Sequence, residues 1–300
     1  MKYVCLGNSV YDTTVITEKY PVENRKQVSE KVIECGGGNA ANSAFLLASW
    51  KCDVDLMSTL GDDYYGRKIM QEYYNIGINC DYIEIKQNYK TRRCYVISNK
   101  ENKTRTIISS PKQDIRRLKI STPSNYNYIL IDGYYIDTAN ELLEKNKNAV
   151  SILDLEKNID EIIELGKKVN YIICSEDFAE KFTKISLKDR NLNMLKECHQ
   201  RMEKYFNNSN IIITLGESGS YTKITTSDYK LIPTIKVDSI DTTGAGDIFH
   251  AAFAYFLSKN YDIEKCIKFS SIASALSTTK IGCRYKIPTL KEVLEYDQLI

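Results

Sequence analysis

Seven residues near the C-terminus carry the densest chemistry in the chain: Asp241-Thr242-Thr243-Gly244-Ala245-Gly246-Asp247, running into the apolar stretch Ile248 to Leu257. Glycines at 244 and 246 let the backbone turn sharply and bring its N–H groups close to a ligand. The apolar stretch reads as a helix whose free N-terminal donors and positive dipole end face the same spot, which makes an anion site. Taken alone, Asp247 reads as an acid favoured in a first helical turn. A carboxylate beside a cradle for developing negative charge is also what phosphoryl transfer to a hydroxyl requires. The acid takes the proton and the backbone donors stabilise the transferring group.

Two earlier stretches have the character of ligand loops. Gly7-Asn8-Ser9-Val10-Tyr11-Asp12 puts an acid just past a strand-like Tyr3 to Gly7, where open α/β sheets bind ligands; the plainer reading of Asp12 is a turn aspartate. Cys35-Gly36-Gly37-Gly38-Asn39-Ala40-Ala41-Asn42 leads into an apolar helix. Its Gly36-x-Gly38-x-x-Ala41 superficially satisfies a dinucleotide fingerprint. The context is wrong: the segment does not follow the first strand of a βαβ unit, and Asp53 and Asp55 come too soon for the acid expected about 20 residues on.

The Asp-Thr-Thr-Gly-Ala-Gly-Asp run resembles the C-terminal signature of the ribokinase-like (PfkB) family of sugar and nucleoside kinases, and Gly37-Gly38-x-x-x-Asn42 resembles its N-terminal signature. The resemblance covers essentially the whole chain and implies a set of roles. Asp247 would be the catalytic base, and the amides of Gly244, Ala245 and Gly246 the anion hole. Asp12, Gly37, Gly38 and Asn42 would hold sugar hydroxyls. Thr214, Gly216 and Gly219, in Thr-x-Gly-x-x-Gly, would lie near the ATP phosphates. The segment Lys280 to Arg284, with Gly282, would enclose the adenine, and a potassium ion would sit by Asp241 and Thr243. Gly61-Asp62-Asp63-x-x-Gly66 matches a further family step and reads physically as a helix start. One element departs from the pattern: Ser175 and Phe178 stand where many relatives have the Asn and Glu of an Asn-x-x-Glu that organises magnesium. Glu176 or Asp177 could substitute through water, and a capped helix start is the alternative.

These residues need a scaffold. Apolar runs at Val54–Leu60, Tyr128–Ile131, Val150–Leu153, Tyr171–Cys174 and Ile211–Thr214 alternate with helical stretches, which predicts a mainly parallel sheet covered by helices. Alternating segments at 13–20 and 27–34, around Pro21 to Lys26, read as a hairpin; 91–97 and 104–109 read as another. With the resemblance, this pattern implies a ribokinase-like three-layer α/β/α sandwich with a mainly parallel central sheet. It forms one domain over residues 1–300, with a small β-sheet lid inserted at about 11–35 and 89–110. A helix over 263–277 is expected to be the last.

Composition removes other classes. Lys and Arg number 41 against 39 Asp and Glu, so no electrostatic footprint asks for nucleic acid or an anionic membrane; the tract Lys112 to Lys119 reads as a solvated face. Nine scattered cysteines without a Cys-x-x-Cys pair predict buried thiols in a reducing compartment and no structural zinc. Only His199 and His250 are present, too few for a histidine metal site or a serine hydrolase to be expected. His250 reads as a packed helix residue. The start lacks the pattern of a signal peptide, and the longest apolar run is about half the ~20 residues of a membrane span, so a cytoplasmic protein is expected.

The expected activity is ATP-dependent phosphorylation of a hydroxyl of a small sugar or related polyol, with magnesium and with potassium as a further ion. A nucleoside kinase and a catalytically silent sugar or nucleotide sensor are the rival readings. Lys26, Ser109, Asp132 and Tyr134 are candidates for specificity, and exposed lid-strand edges leave dimerisation through the lid open.

Overall fold

Alternation along the first strand decides the architecture. In β1 (Lys2–Leu6), Tyr3 and Cys5 enter one hydrophobic core while Val4 and Leu6 enter a second. The split recurs in β8 (Tyr128–Ile131), with Leu130 in the first core and Ile129 in the second, and in β11 (Asn210–Thr214), with Ile212 opposed to Ile211 and Ile213. Strands apolar on both faces must be covered on both, and parallel pairing with helical crossovers supplies that cover. The computed structural model describes residues 1–102, 104–111, 115–285 and 287–296.

The large sheet adds β4 (Asp53–Gly61), β5 (Ile83–Lys86), β9 (Val150–Asp154), β10 (Tyr171–Ser175), β12 (Ser220–Lys223) and β13 (Tyr229–Ile232), in the order β13-β12-β11-β10-β9-β8-β1-β4-β5. Every pairing from β5 through β11 is parallel, and β12 and β13 attach antiparallel. One face is covered by α1 (Asn39–Ser49), α2 (Tyr64–Ile76), α7 (Ala245–Ser258) and α8 (Ile263–Ser277); the other by α3 (Ile136–Lys145), α4 (Asp160–Gly166), α5 (Glu176–Thr183) and α6 (Leu192–Tyr205). This is the three-layer ribokinase-like sandwich, with a small second sheet of β3 (Lys31–Gly37), β2 (Val10–Thr17), β6 (Arg93–Asn99) and β7 (Thr104–Ser109).

Two boundaries differ from expectation. The first lid hairpin turns more broadly, through residues 18–30, because Pro21 has no N–H for a ladder and Asn24 adopts positive φ. A further short helix, α9 (Leu290–Glu295), follows α8; Thr289 and Glu292 close a capping box over it and Val293 anchors it in the first core. In the basic tract, Arg116 pairs with Asp137 and Glu161, and Arg117 with Glu141, which makes it a salt-bridged surface. Residues 112–114 lie outside the described residues.

Parallel strands end together. Gly7, Asp132, Asp154, Ser175 and Thr214 therefore lie along one edge of the sheet, where α1 and α7 begin. No helix among the described residues is long and apolar enough to cross a membrane.

Candidate active site

The site begins with two helices that approach closely. Buried Ala40, Ala41 and Ala44 on α1 face α7, whose own Ala251, Ala252 and Ala254 are buried. Small residues lower the separation at which helix surfaces interlock. Across this contact Ser43 Oγ donates to the Asp247 carbonyl at 3.1 Å, and Asn42 Nδ2 donates to Asp247 Oδ2 at 2.7 Å. Thus 205 residues of sequence separation close to one hydrogen bond.

Gly244 caps α7 in the left-handed conformation, with φ 80°. A Cβ there would lie 2.9 Å from the Cys283 Cβ, so glycine admits both the turn and the neighbour. The Ala245 N–H reaches the Thr242 carbonyl at 3.3 Å, whereas the N–H groups of Gly246 and Asp247 occupy a first turn that offers no intrahelical acceptor. A Cβ on Gly246 would meet nothing within 4 Å, so that face of the loop is open.

Asp247 is buried, and its pKa is pushed up to about 8 by loss of water and then by the neighbouring Asp154 carboxylate; the Asn42 hydrogen bond acts in the opposite direction. Asp154 is itself raised by burial and by Glu156, so the two carboxyls titrate as a pair. Asn39 Nδ2 donates to Asp154 at 2.9 Å. His250 is buried one turn beyond Asp247, with Nδ1 2.7 Å from the Gly246 carbonyl, and burial lowers its pKa. It packs and braces the loop, in keeping with the sequence reading.

Asp12, on β2, lies against the glycine loop: a Cβ on Gly37 would fall 2.0 Å from its Oδ2. Burial raises its pKa to about 6, against the pull of Arg284. Gly38, with φ 99°, lets the chain pass the end of β1, where a Cβ would strike the Asn8 carbonyl at 2.4 Å. Asn42 joins Gly244 and Asp247 in one cluster, and Asp12 and Gly37 connect to it through Cys283 and Arg284. Asp132 is buried beside it and accepts the N–H groups of Asn8, Ala40 and Tyr134, which makes it a brace for both loops.

The residues expected to lie near the ATP phosphates form a second cluster. Thr214 ends β11 in register with Ser175, and a tight turn over Gly216–Ser218 brings the Gly219 N–H to the Gly216 carbonyl at 3.1 Å. Ser175 caps α5 by accepting the Phe178 N–H, and Phe178 is buried against Phe182. Glu176 is paired with Arg190, which also donates to Ser218 of the tight turn. The Gly282 N–H donates to Asp241 Oδ2 at 2.9 Å.

The metal sites implied by the sequence differ in fit. Asp241 is buried and accepts from Thr243 N–H, Thr243 O–H and Gly282 N–H, with no Lys, Arg or His paired to it among the described residues. Uncompensated buried charge fits a monovalent cation held by nearby backbone carbonyls. For magnesium, no three His, Cys, Asp or Glu side chains among the described residues converge.

A model of the pfkB family of carbohydrate kinases matches residues 1–290. The chain belongs to this family. It is an ATP-dependent carbohydrate kinase by that membership. Ribokinase of Bacillus subtilis is 24% identical over 302 residues, covering 98% of this chain and 99% of the relative. A nucleoside kinase of Methanocaldococcus jannaschii is 26% identical over 298 residues, with 98% and 96% covered. Among solved structures, Arabidopsis thaliana ribokinase complexed with ribose and ATP superposes with a TM-score of 0.81 at 22% identity, covering 98% and 97% of the two chains.

The resemblance places the segment Lys280 to Arg284 near the nucleotide, but some contacts of this cluster carry no signal in the sequence. Arg284 reaches the Asn42 side chain from beyond α8, and Glu72 of α2 pairs with Arg284 at 2.9 Å. Arg105 of β7 contacts Thr242 of the Asp241–Asp247 loop, linking the small sheet to that loop. The larger cavity, about 510 Å³, lies away from Asp247, between Ile232–Ile235 and Asp262, Lys265 and Ile272 of the α8 side. The chemistry concentrates at the carboxylate cluster, not there.

Proposed function

We propose that this kinase phosphorylates a hydroxyl of a small sugar or related polyol, with Asp247 as the base. The observation that carries the reading is the Asn42–Asp247 hydrogen bond of 2.7 Å at the mouth of an open first helical turn, with Asp12 against Gly37 beside it. Asp12 and the Gly37–Gly38 backbone orient the acceptor, and Asp247 takes its proton as the new bond to phosphorus forms. Amides of Gly244, Ala245 and Gly246 receive the charge of the transferring group. Thr214, Gly216 and Gly219 hold the nucleotide phosphates, and Gly282 fixes Asp241 under the loop. Magnesium, carried on the ATP phosphates, would supply charge neutralisation there. Potassium, held by carbonyls near Asp241 and Thr243, would set the shape of the loop. The small sheet is the lid of a single catalytic unit, and its closure excludes water that would compete as acceptor.

The test is ADP release against pentoses, ketohexoses, sugar phosphates and nucleosides, with magnesium and with or without potassium. One strong sugar acceptor is expected. A strong response to adenosine or another nucleoside alone would replace this reading with the nucleoside kinase, which the Methanocaldococcus relative favours. ATP binding without any phosphorylated product would sink both in favour of a sensor. Dimerisation through the lid has support in exposed Tyr95 and Ile108, cross-strand neighbours on the sheet face opposite Asp12. Sedimentation velocity across protein concentrations tests it; a monomer throughout would exclude it.

A further inference from the structure

Arg284 is a charged side chain enclosed by the site. Its side chain is 3% exposed, and its guanidinium lies between the rings of Phe45 and Tyr73, 5.1 Å from each centroid. Three partners use its donors: Nε to Asn42 Oδ1 at 3.1 Å, Nη1 to Glu72 at 2.9 Å, and Nη2 to the Gly37 carbonyl at 3.2 Å. Glu72 in turn accepts the Gly36 N–H at 3.0 Å. Gly36 is the residue that makes room, since a Cβ there would stand 1.9 Å from Nη1. Three of the five guanidinium N–H groups are so engaged, one on each nitrogen, which fixes the plane of the group.

Its contact with Asn42 has a directional consequence. A carboxamide has one end that accepts and one that donates, and a guanidinium only donates. Facing Nε–H, the Asn42 amide must present Oδ1, which leaves Nδ2–H aimed at Asp247. We propose that Arg284 is a positioning residue for the catalytic base, fixing the Asn42 amide so that it donates to Asp247. The inference rests on the reading of Asp247 as the base. It also explains why Asn42 lies between them: only a side chain with both an acceptor and a donor end can transmit orientation without carrying charge.

Without Arg284 the amide is free to turn its oxygen toward Asp247, where an acceptor favours the protonated acid. The groups around Asp247 are Asn42 on α1, Asp154 on β9, Glu156 just after it, and His250 on α7. Those around Arg284 are Glu72 and Tyr73 on α2, Cys35 on β3, Cys283, and Asp12 on β2. None of the other cations in this set touches Asn42, so the amide's orientation is the specific variable.

The decisive measurement follows the carboxyl carbon of Asp247 by NMR through a pH titration of aspartate-labelled protein, with the signal assigned by its loss in Asp247→Asn. It needs no turnover, so it stands even if no acceptor is phosphorylated. In Arg284→Met the midpoint should rise by about one pH unit, the scale of a lost hydrogen bond to a carboxylate, and Arg284→Lys should recover part of the shift. Where acceptor turnover is available, the acid limb of kcat should move by the same amount. Should Arg284→Met fail to fold, Glu72→Gln and Arg284→Lys provide folded comparisons. An unchanged midpoint in folded variants at position 284 would reduce Arg284 to a structural strut.

Discussion

At the scale of the residue, two carboxyls govern the chemistry. Asp247 must be ionised to accept a proton, and burial together with Asp154 raises its pKa, so activity should increase with pH through a midpoint far above that of an ordinary carboxylate. Lowering pH through that midpoint protonates the base and turnover falls. Asp154→Asn removes the like-charged neighbour, so the acid limb of kcat should shift to lower pH; a shift upward would reverse the electrostatic assignment. Asp247→Asn should reduce kcat by about 10²–10⁴-fold, the usual contribution of a positioned base, with ATP affinity by calorimetry unchanged. Near-normal kcat in that variant would remove Asp247 from its role.

At the scale of the element, the two glycines of the nucleotide turn make a discriminating pair. Gly219 has φ 95°, and a Cβ would lie 2.1 Å from the Ile232 carbonyl of β13. Gly216 has φ 59° and open space around it. Gly219→Ala should therefore cost about 1–3 kcal/mol from backbone strain, with the collision added, and raise KM for ATP while leaving KM for the acceptor. Gly216→Ala carries only the left-handed penalty, about 1–2 kcal/mol. Urea unfolding separates them, and equal losses would show that contact with β13 is unimportant. At the start of α5, where the sequence departs from the family pattern, Ser175 caps the helix, Phe178 is buried and Glu176 pairs with Arg190.

At the scale of the molecule, the sheet edge is held by both cores. Phe253 of α7 is fully buried and packs edge-on against Tyr171 of β10. Phe253→Ala should destabilise by about 3–5 kcal/mol in urea unfolding, yet leave the acid limb of kcat in place, since no proton-transfer group moves. A pH shift in that variant would mean that the base is tuned by packing throughout the layer.

The sequence by itself determined the strands, because β1, β8, β10 and β11 are apolar on both faces and such runs have few alternatives to a covered parallel sheet. It also determined the loop at Asp241–Asp247, where glycine spacing and a following helix are local properties of the backbone. The lid hairpins were legible as alternating segments, but not the parallel pairing of β2 with β6, which joins residues about 80 positions apart. Only the tertiary structure decided that the Gly282 N–H reaches Asp241, and that Arg284 pairs with Glu72 and reaches Asn42. Local sequence sets backbone conformation within a few residues. Which buried charges meet depends on how α1, α2, α7 and the segment after α8 dock together, and one arginine in a charged sequence carries no mark of the partner it will find.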